Sequence, residues 1–227
     1  MASTPIEVSD DTAPSGRVAR KRAEARRRIV EATDELLRSA SMDDITIGDI
    51  TSAADVGHGS FYLHFDSKEA VLIPIMAHRA AAFDASLQSH LADVDDTAEV
   101  LGLSARAFAR HILRDDTWRW FLTHSRVPID EMRRAFGRFG SRDAEAGLAA
   151  GRFTVPNHKA ASTFGFGGFL AVVVDCLADD EADASELEAR IDDAVRILML
   201  TLGLAADDAA RIAAVGHPVL DQPETSD

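Results

Sequence analysis

The side chains best suited to recognising another molecule lie in the stretch Thr46–Lys68 of this 227-residue chain. His58, Ser60, Tyr62 and His64 all carry hydrogen-bonding groups, and none of the residues between them is acidic. Such groups donate to the phosphate oxygens of nucleic acids and to base edges. The pattern therefore predicts a surface that contacts DNA.

Two short helices joined by a turn are predicted to hold these side chains in place. Thr46 opens the first helix and Asp49 follows three residues later, an arrangement in which each side chain caps the backbone N–H of the other. The turn falls at Asp55-Val56-Gly57, where Asp and Gly tolerate a left-handed backbone or end a helix. In the second helix, Phe61 and Phe65 lie four residues apart and face inward. This is the helix-turn-helix arrangement, which inserts its second helix into the major groove.

The same stretch resembles the DNA-binding signature of TetR-family transcriptional regulators, over residues 20 to 72. Asp55 stands where the family usually has Gly, and Gly57 stands where Ser or Thr usually caps the second helix. A Gly cap costs only about a few tenths of a kcal/mol relative to Ser, so the motif survives without the hydrogen bond that a capping hydroxyl would make. The resemblance is carried by Thr46-Ile47, Asp49-Ile50, Ala53-Ala54, Val56, Gly59-Ser60-Phe61-Tyr62, His64-Phe65 and Ser67-Lys68-Glu69-Ala70.

The resemblance implies an all-α protein with an N-terminal three-helix helix-turn-helix headpiece and a larger helical domain for ligand binding and dimerisation. We expect a disordered tail over residues 1–16 and a DNA-binding domain over residues 17–66. An effector-binding and dimerisation domain is expected over residues 67–216, followed by a C-terminal tail over residues 217–227.

Periodicity and boundary residues predict the individual helices. The first is expected over Val18–Ala40, and a long helix over Ser67–Leu91 connects the headpiece to the rest of the chain. Pro74 is expected in the interior of that helix, where it would remove a backbone hydrogen bond and cause a hinge-like kink. Further helices are expected at Thr97–Asp115, Thr117–His124, Pro128–Gly151, Pro156–Ala178, Ala184–Leu204 and Ala206–Ala214.

The resemblance also implies individual contacts with double-stranded DNA. Phosphate contacts position a protein on the duplex, and contacts with base edges specify the sequence. The basic arm could follow the DNA backbone or enter a minor groove, and a solvated, charged helix start is an equally good interpretation. The expected residues are Thr46, Tyr62, His64 and Lys68 at phosphates, His58, Gly59 and Ser60 at base edges, and Arg17 and Arg20 in the arm.

Charge is distributed unevenly along the chain. The formal net charge of −14 disfavours a nucleic-acid partner, but residues 17–28 hold seven Lys or Arg against the single acid Glu24. Salt screens charges beyond about 8 Å, so the local field at a phosphate matters more than the total charge.

The composition also predicts a cytoplasmic protein. The single cysteine, Cys176, excludes an internal disulfide and suits a reducing compartment. The first sixteen residues are polar, without the apolar run of a secretory signal. The apolar run Ala160–Val174 is shorter than the roughly twenty residues that span a bilayer, so no membrane partner is expected.

Aromatic residues concentrate after the headpiece and could line a cavity for a largely apolar small-molecule effector, as the family resemblance implies. For any single one of them, an ordinary core position is the alternative. The residues expected to bind the effector are Phe108, His111, Trp118, Trp120, Phe121, His124, Phe136, Phe139 and Phe164.

The run Phe164–Phe169 contains three Gly within a predicted helix, each of which costs about 1 kcal/mol there. Close helix approach, or room for a ligand, would compensate this cost. With the helix that follows, this one is predicted to form a four-helix seam in a homodimer, although an intrachain core could use the same residues. The expected seam residues are Phe166, Phe169, Leu170, Val173, Leu177, Ile191, Val195, Leu198 and Leu202.

The motifs of common enzymes are missing from the sequence. It contains no phosphate-binding Gly-rich loop after a strand, no HExxH, no GxSxG and no paired-Cys metal site. We therefore expect no catalytic residues, no metal and no cofactor.

Together these patterns predict a ligand-responsive transcriptional regulator that binds an inverted-repeat operator as a homodimer. It is expected to be a repressor that a small molecule releases from DNA through the Ser67–Leu91 helix. Two alternatives remain open. One is an activator of the same family, and the other is an all-α enzyme or ligand-binding protein that has lost DNA binding.

Overall fold

Every element that the structure describes is helical. The computed structural model describes residues 16–124 and 140–217, and no strand occurs among them, which confirms the predicted all-α class. The chain divides into two compact units, Met1–Val71 and Leu72–Asp227, a boundary later than the one predicted after residue 66. Apart from Gly16 and His217, the tails predicted at either end lie outside the described residues.

The first unit is built from α1 (Gly16–Leu36), α2 (Ile47–Ala53) and α3 (His58–Tyr62), followed by a 3-10 turn at Glu69–Val71. α1 ends at Leu36 and not at the predicted Ala40, because Arg38 and Ser39 donate to carbonyls three residues earlier instead of four. Such bonds tighten the last turn of a helix and end it. The core of the unit comprises Ile29, Met42, Ile45, Ile50, Phe61 and Phe65, all buried.

α4 (Leu72–His90) begins after the 3-10 turn and not at the predicted Ser67. The Ser67 hydroxyl instead accepts a hydrogen bond from the backbone N–H of Ala70 at 3.3 Å, within the 3-10 turn. Pro74 consequently lies in the first turn of α4, where backbone N–H groups have no helical acceptor to lose. The prediction that Pro74 kinks the interior of this helix is therefore wrong.

The second unit continues with five further helices and the described part of another. Asp96, Asn157 and Asp183 cap three of them, each accepting a hydrogen bond from a backbone N–H at 2.9–3.0 Å. The helix predicted from Pro156 starts after Asn157 because that side chain is its cap. The start predicted at Pro128 lies outside the described residues. The helices are α5 (Thr97–Arg114), α6 (Asp116–His124), α7 (residues 140–149), α8 (His158–Ala178), α9 (Ala184–Thr201) and α10 (Ala206–Ala214).

Close packing of α8 on α9 accounts for one of the three glycines in α8. A Cβ on Gly165 would lie 2.6 Å from Cδ1 of Leu198, so a side chain there would force the two helices apart. Gly167 and Gly168 have open space around them. The close approach expected from the sequence therefore applies to Gly165.

Two helical stretches, Glu69–His90 and His158–Ala178, are long and apolar enough to cross a membrane by length and composition alone. Core helices of folded domains share that composition, and α8 packs along α9 inside the second unit. The expectation of no membrane partner stays a prediction.

Candidate DNA-contacting surface and effector cavity

The turn between α2 and α3 contains Asp55 and Gly57, the two residues that depart from the usual family pattern. Asp55 adopts a φ of 49°, in the left-handed region that Asp tolerates better than most residues. The Arg28 guanidinium donates to the Asp55 carbonyl at 3.1 Å and lies 3.5 Å from its carboxylate, which holds the turn against α1. Gly57 takes the N-cap position of α3 without a side-chain hydrogen bond, as expected.

The residues expected to read base edges lie on the exposed side of α3. His58 and Gly59 are exposed and Ser60 is half-buried, whereas Phe61 on the opposite side is completely buried. Tyr62 is 52% exposed, and its ring meets the His58 ring edge-on at 5.6 Å. The hydroxyl of Tyr62 and the imidazole of His58 thus share one accessible face, which carries no acid.

The surroundings of His64 lower the pKa of its imidazole. Burial lowers the pKa of its imidazole, and the nearby positive charges of Arg22 and Arg26 lower it further. Both arginines also stabilise the unit: Arg22 donates to the Leu63 carbonyl at 3.1 Å, and the Arg26 guanidinium lies 5.0 Å from the centre of the Phe65 ring. The lowered pKa favours a neutral imidazole, whose ring N–H can donate a hydrogen bond to a phosphate oxygen.

The ammonium group of Lys68 is bonded within the first unit. Its Nζ donates to the carbonyls of Met42 at 2.7 Å and Ile45 at 3.0 Å, with a longer contact to Asp43 at 3.4 Å. These carbonyls belong to the loop that leads into α2. The expected phosphate contact of Lys68 stays a prediction, but the structure gives this side chain a second role in fixing that loop.

Thr46 is also engaged locally. Its hydroxyl accepts from the Asp49 N–H at 3.1 Å and donates to the Asp49 carboxylate at 2.6 Å. The carboxylate in turn accepts from the Thr46 N–H at 2.9 Å, so the predicted reciprocal cap is confirmed. This hydrogen bonding lowers the pKa of Asp49, with the Thr46 hydroxyl as its largest cause.

Part of the positive charge on α1 is offset by neighbouring acids. Arg27 pairs with Glu24 and with Glu31, at 2.5 and 2.6 Å. Arg20 is exposed, and its Nε donates to the Gly16 carbonyl at 3.0 Å. Arg17 belongs to α1, and its side chain lies outside the described part of the structure. The role of the basic arm in DNA binding stays a prediction.

A cavity of about 120 Å³ lies inside the second unit, between α4, α5, α7, α8 and α9. Phe83, Phe108, Phe166 and Phe169 form aromatic parts of its wall, and aliphatic residues such as Leu198 complete the apolar surface. Of the residues predicted to bind an effector, Phe108 lines this cavity, and its contact with an effector stays a prediction.

The other described residues of that prediction are not among those lining this cavity. Tight packing explains why: Trp118 and Phe121 are buried among α5 and α6, with Trp118 edge-on to Phe108 at 5.6 Å. His111 stacks on Phe83, and Trp120 stacks on His124 at the half-exposed side of α6. Phe164 is 71% exposed. Phe136 and Phe139 lie outside the described residues.

The polar corner of the cavity was missed in the sequence. Asp84, Ser104 and Asp143 line it, and Arg142 bonds Asp84 at 2.8 and 3.0 Å and Asp143 at 2.8 Å. Burial raises the pKa of Asp143, against the opposing effect of Arg142. A signal was present, because Asp84 falls at the helical spacing of the buried residues Ala80 and Leu87 in α4.

The predicted dimer seam also needs correction. Five of its nine residues are at most 2% exposed within the single chain and therefore cannot reach a partner. The other four line the cavity. The buried five are Val173, Leu177, Ile191, Val195 and Leu202, and the other four are Phe166, Phe169, Leu170 and Leu198.

Other apolar side chains of the same two helices are exposed. Phe164 on α8 is 71% exposed, and on α9 Ile197 is 53% and Leu200 is 43% exposed. Gly168 and Ala171 follow Phe164 at helical spacing and are exposed too. We call this surface the α8–α9 outer face.

Among the described residues, no group of three or more His, Cys, Asp or Glu side chains could hold a metal ion.

Two family models match the chain. Residues 96–215 match the family described as "Tetracyclin repressor-like, C-terminal domain", and residues 29–74 match "Bacterial regulatory proteins, tetR family". The HTH-type transcriptional regulator EthR of Mycobacterium tuberculosis is 32% identical over 96 residues, 41% of this chain. The match spans 44% of the length of EthR.

Solved structures are similar over most of the chain. RolR in complex with resorcinol is 28% identical, with a TM-score of 0.75, and the match covers 88% of this chain and 98% of RolR. Thermus thermophilus FadR in complex with lauroyl-CoA is 20% identical, with a TM-score of 0.63, and the match covers 79% of this chain and 96% of FadR. At that identity, the likeness to FadR shows a common fold.

Proposed function

Because this chain belongs to the TetR family of bacterial transcriptional regulators, we propose that it is a repressor that binds an inverted-repeat operator as a homodimer and leaves it when a small molecule binds. One observation carries the proposal. A single chain combines a helix-turn-helix whose second helix, α3, carries no acid with an apolar cavity in a separate unit. The first feature suits DNA and the second suits an effector.

The path from effector to DNA is proposed to run through α4. Ala80, Phe83, Asp84 and Leu87 of this helix line the cavity, and α4 follows directly in the chain after the DNA-binding unit. A ligand that contacts α4 differently in two states of the protein shifts their populations by its differential affinity. Release from DNA then requires only a favoured state in which the two α3 helices of the dimer no longer match the spacing of successive major grooves.

The size of the cavity supports a small effector. RolR, which aligns with 88% of this chain, was solved with resorcinol, and a single ring of that kind suits a cavity of about 120 Å³. We propose the cytoplasm, where the bacterial chromosome lies, as the site of action.

Selection of bound fragments from the genome of the source organism tests the proposal. We expect the full chain to protect an inverted repeat with half-sites about one helical turn or slightly more apart. Tyr62→Phe should weaken operator binding without changing stability, because it removes one exposed hydroxyl. Thr123→Val, which removes an exposed hydroxyl of α6 in the second unit, is the control that should leave DNA affinity unchanged.

Two results would contradict parts of the proposal. No preference for any genomic fragment at low salt would favour a ligand-binding protein that has lost DNA binding. Transcript levels that fall, rather than rise, in a deletion strain would make the protein an activator.

A further inference from the structure

The polar corner of the cavity has an unusual charge arrangement. Asp84 and Asp143 both line the cavity, whereas the described lining residues include no Lys, Arg or His. Asp143 is only 5% exposed. A bound molecule therefore meets two carboxyl groups at this corner, and no cation of the described wall faces it.

Arg142 compensates the two acids from outside the lining. Its Nη1 and Nη2 donate to the two carboxylate oxygens of Asp84, and its Nε and Nη2 both approach Oδ1 of Asp143. The guanidinium thus pairs with both carboxylates and holds them in place. Among these contacts none involves Oδ2 of Asp143, so that oxygen keeps capacity to accept a hydrogen bond.

Ser104 adds a hydrogen-bond donor beside the Asp143 carboxylate. Its hydroxyl lies close enough to Asp143 to favour the charged carboxylate. The same oxygen is shielded from solvent and makes no hydrogen bond of ordinary geometry within the described residues. A buried hydroxyl without a partner is costly unless something completes its hydrogen bonding. A ligand hydroxyl can do so, since it accepts from Ser104 and donates to Asp143.

The rest of the cavity sets the size and shape of the ligand. An apolar cavity of roughly 150 Å³ holds a benzene ring, and this one encloses about 120 Å³. Four phenylalanines, Phe83, Phe108, Phe166 and Phe169, stand in its wall. Flat aromatic ligands pack well against such rings in offset or edge-on arrangements.

We propose that the effector is a neutral, single-ring aromatic molecule with one or more hydroxyl groups, held by Asp84, Asp143 and Ser104, and that aromatic carboxylates are excluded. This inference rests on the proposed function and names the ligand class of its cavity. Exclusion of anions follows from the two acids, because an unpaired carboxylate beside a buried carboxylate is repelled at low dielectric. A cationic amine loses far more hydration free energy than a neutral hydroxyl on entering the cavity, and Arg142 already pairs with both acids.

Calorimetric titration of the full chain with four ring compounds tests the ligand class. The probes are resorcinol, m-xylene, 3-hydroxybenzoate and benzylamine. m-Xylene replaces both hydroxyls with methyl groups of nearly equal size, 3-hydroxybenzoate adds an anion, and benzylamine supplies a cation. We expect resorcinol to bind about 10- to 100-fold more tightly than each of the others, the range expected for a hydrogen bond to a charged group.

Single substitutions test which side chains make resorcinol bind more tightly than m-xylene. Asp143→Asn and Ser104→Ala should each weaken resorcinol by about tenfold and leave m-xylene unchanged. Asp175→Asn, at an exposed acid paired with Arg190 away from the cavity, should change neither. Ser104→Ala guards against misfolding, because it removes one oxygen and leaves the Asp84–Arg142–Asp143 bonds intact. Circular dichroism and the thermal midpoint verify that each variant is folded.

Three outcomes would overturn the inference. These are equal binding of resorcinol and m-xylene, tighter binding of 3-hydroxybenzoate or benzylamine, and no binding of any probe to the folded protein. None of these measurements involves DNA. Failure of the ligand class is therefore distinct from failure of the regulatory proposal, which would appear as loss of operator binding by the unliganded protein.

Discussion

Single side chains in this protein combine a recognition role with a structural one. Thr46 and Lys68 were both assigned to phosphates by resemblance, yet Thr46 forms the cap of α2 and Lys68 bonds two carbonyls of the loop before it. A hydrogen bond from a charged donor contributes about 1.5–3 kcal/mol. Tyr62 and His58 are exposed and make fewer structural hydrogen bonds than Thr46 and Lys68, so they are the better candidates for direct contact with DNA.

Lys68→Met separates the two roles of that residue. If the internal bonds dominate, the variant should lose about 1–3 kcal/mol of unfolding free energy, because two carbonyls lose their donor. The salt dependence of operator binding should then keep its slope. Urea unfolding and binding isotherms at several salt concentrations measure the two effects.

A matched control is Lys159→Met, at an exposed lysine near the start of α8. It should change neither stability nor the slope. The internal role of Lys68 would be refuted by unchanged stability, and a slope reduced by about one would restore it as a phosphate contact.

At the scale of elements, a buried arginine joins three helices of the second unit. Arg106 of α5 is buried, and its guanidinium donates to the Ala213 and Val215 carbonyls at the end of α10 and to Asp192 of α9 at 2.8 Å. The last carbonyls of a helix have no partner within it. Arg106 thus satisfies the end of α10 and fixes it to α5 and α9.

Arg106→Met should cost about 2–4 kcal/mol of stability, because it leaves the Ala213 and Val215 carbonyls without donors and Asp192 without its partner. The methionine retains most of the apolar stem, so a change in packing contributes little. Thermal or urea unfolding measures the change. Arg196→Met is the control, since Arg196 is half exposed and pairs with Asp193 on the surface of α9. A loss no larger than that of the control would contradict the structural role.

For the whole molecule, the proposed homodimer requires a surface that the single chain leaves uncovered. The α8–α9 outer face provides one, with Phe164, Ile197 and Leu200 all exposed. Burial of such side chains contributes about 25 cal/mol per Å² of apolar surface, and closed two-fold dimers use one patch on both subunits. The face that the sequence suggested for this purpose instead forms the core and the cavity wall.

Phe164→Asp should dissociate the dimer, because it places a charge within the proposed apolar interface. We expect sedimentation to show a monomer at micromolar concentration and operator affinity to fall steeply, since one headpiece makes few phosphate contacts. Val18→Asp, at an exposed apolar residue of α1, should leave the sedimentation unchanged. A Phe164→Asp variant that stays dimeric would exclude this face.

The helix-turn-helix could be predicted from the sequence because its determinants are local. The Thr46–Asp49 cap, the left-handed Asp55 and the four-residue spacing of Phe61 and Phe65 all act within one or two turns of helix. The helices of the second unit were predictable for the same reason, except where a cap or a 3-10 turn moved an end by a few residues.

Only the tertiary structure decided where the cavity and the outer face lie. The cavity wall collects residues from five helices, and hydrophobic spacing marks a buried side without saying which neighbour covers it. Asp84 and Asp143 resemble ordinary surface acids in the sequence, and Phe164 resembles a core residue. Their real positions depend on how α4, α5, α7, α8 and α9 pack together, because contacts between distant helices are set by the combined shape of their surfaces and not by spacing along any one of them.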